Sequence, residues 1–293
     1  MGRALCEAYP VAAQVFAEAD EALSFALSRL CFEGPESELK LTANAQPAIL
    51  TTSIAALRAL YQEKGLRPDV VAGHSLGEYS ALVAAGALDV ADAVRVVHLR
   101  GTFMQEAVAP GQGSMAAILG LEAEAVFAIC KEIEAETGQV VSPANLNGGG
   151  QIVIAGHAAA VDAASKRLKE RGAKRAVALQ VSAPFHCALM APAAERLAAE
   201  LGRITFRAPA VPVVSNVEAT ANQDPGRIGE LLTRQVTAPV RWEESVRELG
   251  RLGVTRAVEV GAGNVLAGLV RRIAPEMGLA GASDPDSIRS LET

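Results

Sequence analysis

Ser75, His186 and Arg100 are the residues of this sequence whose types and settings best suit chemistry. Ser75 lies in Gly73-His74-Ser75-Leu76-Gly77, a G-x-S-x-G spacing. Serine at its ordinary pKa is a poor nucleophile, so it needs a base and donors for the oxyanion it creates. On a strand-to-helix turn this spacing lifts the hydroxyl above the sheet edge. It also puts the Leu76 N–H at the positive end of a helix, where that oxyanion would form. Glycines at 73 and 77 are expected to remove Cβ clashes from the turn. The bland alternative is a glycine-flanked turn with an exposed serine. The flanks favour the first reading: Asp69-Val70-Val71-Ala72 reads as a short buried strand. Beyond the turn, Leu76, Tyr79, Leu82 and Val83 recur at helical spacing.

Four histidines compete to be the base. His74 neighbours the serine and is expected to line its pocket. His98 falls inside a helical pattern and reads as packing or surface. His157 ends a strand-like run and reads as surface. His186 sits in the Ser182-Ala183-Pro184-Phe185-His186 loop before a helix, which suits a base, although loop histidines are often only polar surface. Arg100 closes Val94-Arg95-Val96-Val97-His98-Leu99-Arg100, on a helix that packs an apolar face inward. It is either a surface arginine with its stem on apolar neighbours or a fork that grips a substrate carboxylate. Such a charge-assisted bond contributes about 1.5–3 kcal/mol, enough to select acyl groups bearing a carboxylate.

These residues need a scaffold. The 293-residue chain is 50% hydrophobic, enough for a large core and one inserted unit. Its net charge of −6 is dispersed, and no basic stripe suggests nucleic acid. Cys6, Cys31, Cys130 and Cys187 are scattered, reading as free thiols rather than a disulfide frame or a metal site. No apolar run reaches membrane length, so a cytoplasmic protein without a membrane partner is expected.

Strand and helix patterns alternate around the serine, predicting an α/β fold with a covered parallel sheet. An amphipathic helix is expected over 11–30, and a long helix from about Ala48 to Lys64 with Pro47 in its first turn. After Pro110-Gly111-Gln112-Gly113 the order becomes β-α-β-β-α-β, a ferredoxin-like unit. The expected organisation is a discontinuous core over 1–110 and 182–293, interrupted by a small subdomain over 111–181. Val211–Ser215 and Arg256–Val260 are the core strands expected after it.

GHSLGEYSALVAAGAL, the arginine at 100 and the run Ala183-Pro184-Phe185-His186-Cys187-Ala188-Leu189-Met190 together resemble the malonyl-CoA:acyl-carrier-protein transacylases. Gln46-Pro47-Ala48, Asn145-Leu146-Asn147, Pro212-Val213-Val214-Ser215-Asn216-Val217 and Glu259-Val260-Gly261-Ala262-Gly263 extend the resemblance nearly end to end. It implies an α/β-hydrolase-like core carrying a ferredoxin-like subdomain. It also implies a monomeric acyltransferase of fatty-acid or polyketide synthesis, with malonyl-CoA as substrate, acyl carrier protein as partner and no cofactor or metal.

By resemblance, Ser75 carries the malonyl ester, His186 is base and acid, and Arg100 pairs with the malonyl carboxylate. The Gln235 backbone carbonyl orients the histidine, so this is a dyad, and Leu76 N–H is one oxyanion donor. Phe185 limits α-branched acyl groups. Asn145 and Asn147 either line the cleft between the two units or serve the hairpin after them.

The family also opens with a short strand and an F-P-G-Q-G-S-Q loop, whose glutamine supplies a second oxyanion donor. Neither stands before Met1 here, so Met1 is expected to be an internal methionine of a longer product. Gln112 is in a look-alike sequence at the wrong place and takes no catalytic role. Two other classes stay in view. A serine esterase would need an acidic triad member and a late histidine, whereas His186 is the last one here. A chain that only binds carrier protein or CoA would form no acyl adduct.

Overall fold

The computed structural model describes residues 1–292; Thr293, which ends the expected core range, lies outside them. Among the described residues nine strands form three sheets, and helices cover them. β1 (Val71–Ala72) pairs in parallel with β6 (Val213–Val214), which pairs antiparallel with β7 (Ala221–Asn222). β8 (Arg256–Val260) pairs in parallel with β9 (Gly278–Ala282). β2 (Gly113–Leu119), β3 (Val141–Gly148), β4 (Gln151–His157) and β5 (Arg175–Ala178) form an antiparallel sheet in the order β3-β4-β2-β5. Helices Ala123–Thr137 and Ala158–Glu170 pack on that sheet around Val126, Ile129, Ile152, Ile154, Val161 and Leu168. Strand order and helix placement are those of a ferredoxin-like unit.

The small sheet is tied to the rest by main chain as well as by side chains. Leu146 N–H donates to Val240 C=O and Val240 N–H to Ala144 C=O, both at 2.9 Å. Phe185 packs against both the large core and the apolar cluster of Met115, Ala144 and Cys187.

Several elements differ from expectation. The expected 11–30 helix is two helices, Pro10–Leu23 and Leu27–Glu33, broken where Ser24 turns left-handed at φ 58°. Periodicity alone could not show the break, because apolar residues continue across it. The next long helix begins at Thr42, not Ala48, so Pro47 lies inside it. Proline has no N–H for the carbonyl four residues back, Ala43, and ordinarily that acceptor would be orphaned. His98 Nδ1 lies 2.8 Å from the Ala43 oxygen and fills the vacancy from the neighbouring helix. His98 is thus a structural partner for a proline.

His157 is also bonded: its Nδ1 accepts the Val140 N–H at 3.0 Å, closing the end of β3 against β4. The sequence pattern predicts neither β9 nor the final helix, Pro285–Ser290. Gly-Leu-Ala-Gly-Ala lacks the β-branched residues that mark strands, and its pairing partner β8 supplies the order instead. The parallel core strands are also shorter than their apolar runs: Val213–Val214 within 211–215. No described helix is long and apolar enough to cross a membrane.

Candidate active site

β1 runs into a tight turn, and the Leu76–Ala84 helix begins directly after Ser75. Ser75 adopts φ 51°, ψ −106°, outside the basins comfortable for an L-residue. The glycines around it are not equivalent. A Cβ on Gly73 would stand 2.0 Å from the Gly77 carbonyl oxygen, whereas a Cβ on Gly77 would meet nothing within 4 Å. The close approach therefore requires glycine at 73 alone, which corrects the expectation of two clash-relieving glycines.

Asn216, just past β6, holds the strained turn. Its Oδ1 accepts the Ser75 N–H at 2.6 Å and its Nδ2 donates to Gly73 C=O at 2.7 Å. Both ends of the turn are thus fastened by one buried carboxamide. Its signal in the sequence was Pro212-Val213-Val214-Ser215-Asn216, a strand ending in a polar residue beside the strand that delivers the serine.

Ser75 Oγ lies 2.8 Å from His186 Nε2. His186 Nδ1 lies 2.8 Å from the Gln235 backbone oxygen, which can only accept. The proton of a neutral His186 is therefore on Nδ1, and Nε2 presents its lone pair to the serine hydroxyl. Gln235 belongs to the last turn of the Pro225–Thr237 helix, where carbonyls have no partner within the helix. The helix end thus supplies the acceptor, and its negative pole favours a positive imidazole when one forms. His186 is buried and adopts φ 59°. Burial, reinforced by the Arg100 charge, drives its pKa down to about 3, so Nε2 stays unprotonated at neutral pH.

Arg100 approaches the serine from the other side. It is buried, with Nη1 donating to Gln46 Oε1 at 2.6 Å and Nη2 to Gln235 Oε1 at 2.9 Å. Nη2 also donates to Ser75 Oγ at 3.0 Å. The surface-arginine alternative is thereby excluded. Gln46 and Glu78 are further members of the cluster that sequence reasoning did not single out as site residues. Gln46 stood in the quoted Gln46-Pro47-Ala48, one helical step before the proline.

The remaining candidates fall around this pair. Leu76 N–H starts the helix and has no acceptor among the described residues, so it is free to face an oxyanion. His74 Nε2 lies 2.9 Å from Asn147 Oδ1, and its ring tilts against Trp242 with centroids 5.5 Å apart. That contact joins the serine turn to β3 of the small sheet. Asn147 therefore stands at the boundary between the two units, and Asn145 forms a bridge with Val240 beside it. Phe185 precedes the histidine and is half-buried. Gln112 lies just before β2, with its carbonyl accepting Ala158 N–H, and takes no part in the cluster. Among the described residues no group of three His, Cys, Asp or Glu side chains is placed to hold a metal ion.

A serine between a neutral histidine and a guanidinium can take up an acyl group and retain one that carries a carboxylate. The family model for the acyl transferase domain matches residues 1–281. The chain belongs to the acyl transferase family. It is 49% identical to the malonyl CoA-acyl carrier protein transacylase of Escherichia coli K12, over 97% of this chain and 91% of that one. The Bacillus subtilis 168 protein of the same name is 51% identical, over 98% and 90%. Among solved structures, an acyl carrier protein S-malonyltransferase from Vibrio cholerae superposes with a TM-score of 0.96 at 46% identity. The match covers 100% of this chain and 95% of that one. A type II PKS acyl-carrier protein in complex with its malonyl-transacylase matches at TM-score 0.94 and 47% identity, covering 98% and 93%. The fold is therefore that of this acyl transferase branch, an α/β-hydrolase-like core with a ferredoxin-like subdomain.

Proposed function

We propose that this acyl transferase moves a malonyl group from CoA to the phosphopantetheine thiol of an acyl carrier protein through a malonyl-Ser75 ester. The observation that carries the reading is the position of Ser75 Oγ, 2.8 Å from His186 Nε2 and 3.0 Å from Arg100 Nη2. A hydrolase acting on neutral esters has no use for a buried guanidinium beside its nucleophile.

In the first half-reaction the Ser75 hydroxyl gives its proton to His186 Nε2, and Oγ bonds to the malonyl carbonyl carbon. The oxyanion faces the Leu76 N–H. Collapse breaks the carbon–sulfur bond, and His186 returns the proton to the departing CoA thiolate. In the second half-reaction His186 takes the proton of the carrier thiol, and the sulfur attacks the ester. Breaking the carbon–Oγ bond leaves an alkoxide, which recovers the proton from His186.

Throughout, Arg100 holds the malonyl carboxylate, so the acyl group keeps its place while the thiol partner changes. The arginine donor now shared with Ser75 Oγ is the one best placed to pass to that carboxylate. Phe185, wedged between the two units, is assigned the exclusion of α-branched acyl groups. Asn147 and His74 shape the wall through which the pantetheine arm reaches the serine. Every group comes from one chain, so a monomer suffices. The chemistry calls on no cofactor or metal, and a CoA thioester and a carrier protein as partners support a cytoplasmic setting.

Incubation with malonyl-CoA followed by intact mass measurement tests the reading. Wild type should gain one malonyl adduct, removable by holo-acyl carrier protein, and Ser75→Ala should gain none. A wild-type chain that takes no adduct would overturn the assignment.

A further inference from the structure

Glu78 lies one turn beyond the nucleophile on the Leu76–Ala84 helix, and the mechanism above makes no use of it. Its side chain is buried, 3% exposed. One oxygen, Oε2, accepts two uncharged donors, the Asn216 backbone N–H at 3.0 Å and Gln235 Nε2 at 2.8 Å. Elsewhere it lines a cavity of about 10 Å³ with Ser215, Asn222 and apolar side chains, none of them cationic. A buried carboxyl group without a direct ion pair is costly to keep.

The charge that acts on Glu78 is Arg100, and between them stands the Gln235 carboxamide. Gln235 Nε2 faces Glu78 Oε2 and the Ser75 carbonyl, at 2.8 and 3.0 Å, while Gln235 Oε1 faces Arg100 Nη2 at 2.9 Å. A carboxamide has two orientations that differ by exchange of its oxygen and nitrogen. Turned over, this one would oppose its NH2 to the guanidinium and its oxygen to the oxygens of Glu78, Ser75 and, at 3.4 Å, Asn216 Oδ1. Only the observed orientation pairs every atom.

We propose that Glu78 is a positioning residue that locks the Gln235 carboxamide with its oxygen toward Arg100, and so aims the guanidinium at the acyl site. The inference rests on the reading that Arg100 pairs with a substrate carboxylate. The indirect arrangement suits that task. A protein carboxylate placed directly on the arginine would occupy the position the substrate must take. One amide away, Glu78 fixes the fork and leaves that position open. Burial pushes the Glu78 carboxyl up to about 7, yet acid, carboxylate and glutamine all offer the acceptor oxygen that does the holding.

Three variants test this, each read with malonyl-CoA and with p-nitrophenyl acetate, a neutral acyl donor to Ser75. Glu78→Ala should lower kcat/KM for malonyl-CoA by about ten- to a hundredfold and slow acetylation by less than about threefold. Glu78→Gln should restore malonyl transfer to within about threefold of wild type. Gln235→Met, which keeps the backbone carbonyl on His186, should reproduce the Glu78→Ala pattern. It also carries the test if Glu78→Ala does not fold. Adding Glu78→Ala to Gln235→Met should cost little more, since both break one relay. Parallel loss of both acyl donors in Gln235→Met, or a Glu78→Gln variant impaired like Glu78→Ala, would overturn the proposal. If wild type forms no malonyl adduct, the functional reading fails instead. A normal wild-type adduct with an unchanged donor ratio in Gln235→Met sinks the relay alone.

Discussion

The two sides of Ser75 are built differently. The base is held by main chain: His186 Nδ1 donates to a carbonyl at a helix end, and any residue at 235 would supply that oxygen. The guanidinium is held by side chains: Gln46 and Gln235 take its N–H groups, and Glu78 and the Ser75 carbonyl orient Gln235 in turn. The setting of the base therefore rests on backbone geometry, which a substitution at 235 leaves in place. Acyl selectivity rests on three carboxamide and carboxyl side chains, any of which a point mutation removes. Gln235 serves both sides at once, through its backbone for one and its side chain for the other.

The sharpest way to break this division is at its two ends. His186→Ala should lower acylation by roughly 10⁴-fold or more for malonyl and neutral donors alike, read as the rate of adduct formation. A loss confined to malonyl-CoA would mean the histidine is not the shared base. Arg100→Ala should lower malonyl transfer by about ten- to a hundredfold while sparing p-nitrophenyl acetate, since a bond to a charged group contributes about 1.5–3 kcal/mol. Equal loss for both donors would dissolve the distinction between the two sides.

Asn216→Ala belongs to neither side, because it loosens the turn that carries the serine. It should slow both donors together by about tenfold, and the thermal midpoint should fall with the loss of the two hydrogen bonds that fasten the turn.

Acid titration gives the next smaller effect. With His186 held near 3, the acylation rate should show no loss at the ordinary histidine value of 6.5 as pH falls toward 5. An inflection near 6.5 would show that burial does not protect the base. The smallest effect is on stability. Glu78 is raised from 4.5 to about 7, so its contribution is full below pH 4.5 and lost as pH rises through 7. Urea midpoints should therefore shift in favour of Glu78→Gln, relative to wild type, between pH 4.5 and 7.5. His186 runs in the opposite sense, destabilising from 6.5 downward, but is common to both proteins and drops out of the difference.

Much of this arrangement was legible in the chain. The serine turn announced itself because glycine at 73 is demanded by a backbone contact and the strand and helix patterns meet there. Arg100 stood out as a charge at the end of an apolar helical face, and the small sheet was readable from its order of strands and helices. Gln46 and Asn216 stood in runs that carried the resemblance, but their roles and that of Glu78 were not legible, because a carboxamide or carboxyl becomes functional only through what faces it across the fold. The same holds for His98, whose partner is a carbonyl freed by a proline 51 positions earlier in another helix. The break at Ser24 and strand β9 were missed because the first leaves periodicity intact and the second lacks it.

The short run from Gln235 to Trp242 has a mechanical consequence. Within it lie the carbonyl on His186, the Val240 bonds to β3, the Arg241 N–H on Asn216 C=O, and the Trp242 ring against His74. The two walls of the cleft therefore share one spar. Spreading them would first shear the paired amides of Leu146 and Val240, so the opening behaves as a slot of fixed gauge. Slow deuterium exchange at those two amides, in step with the interior of the chain, would be the signature of that stiffness.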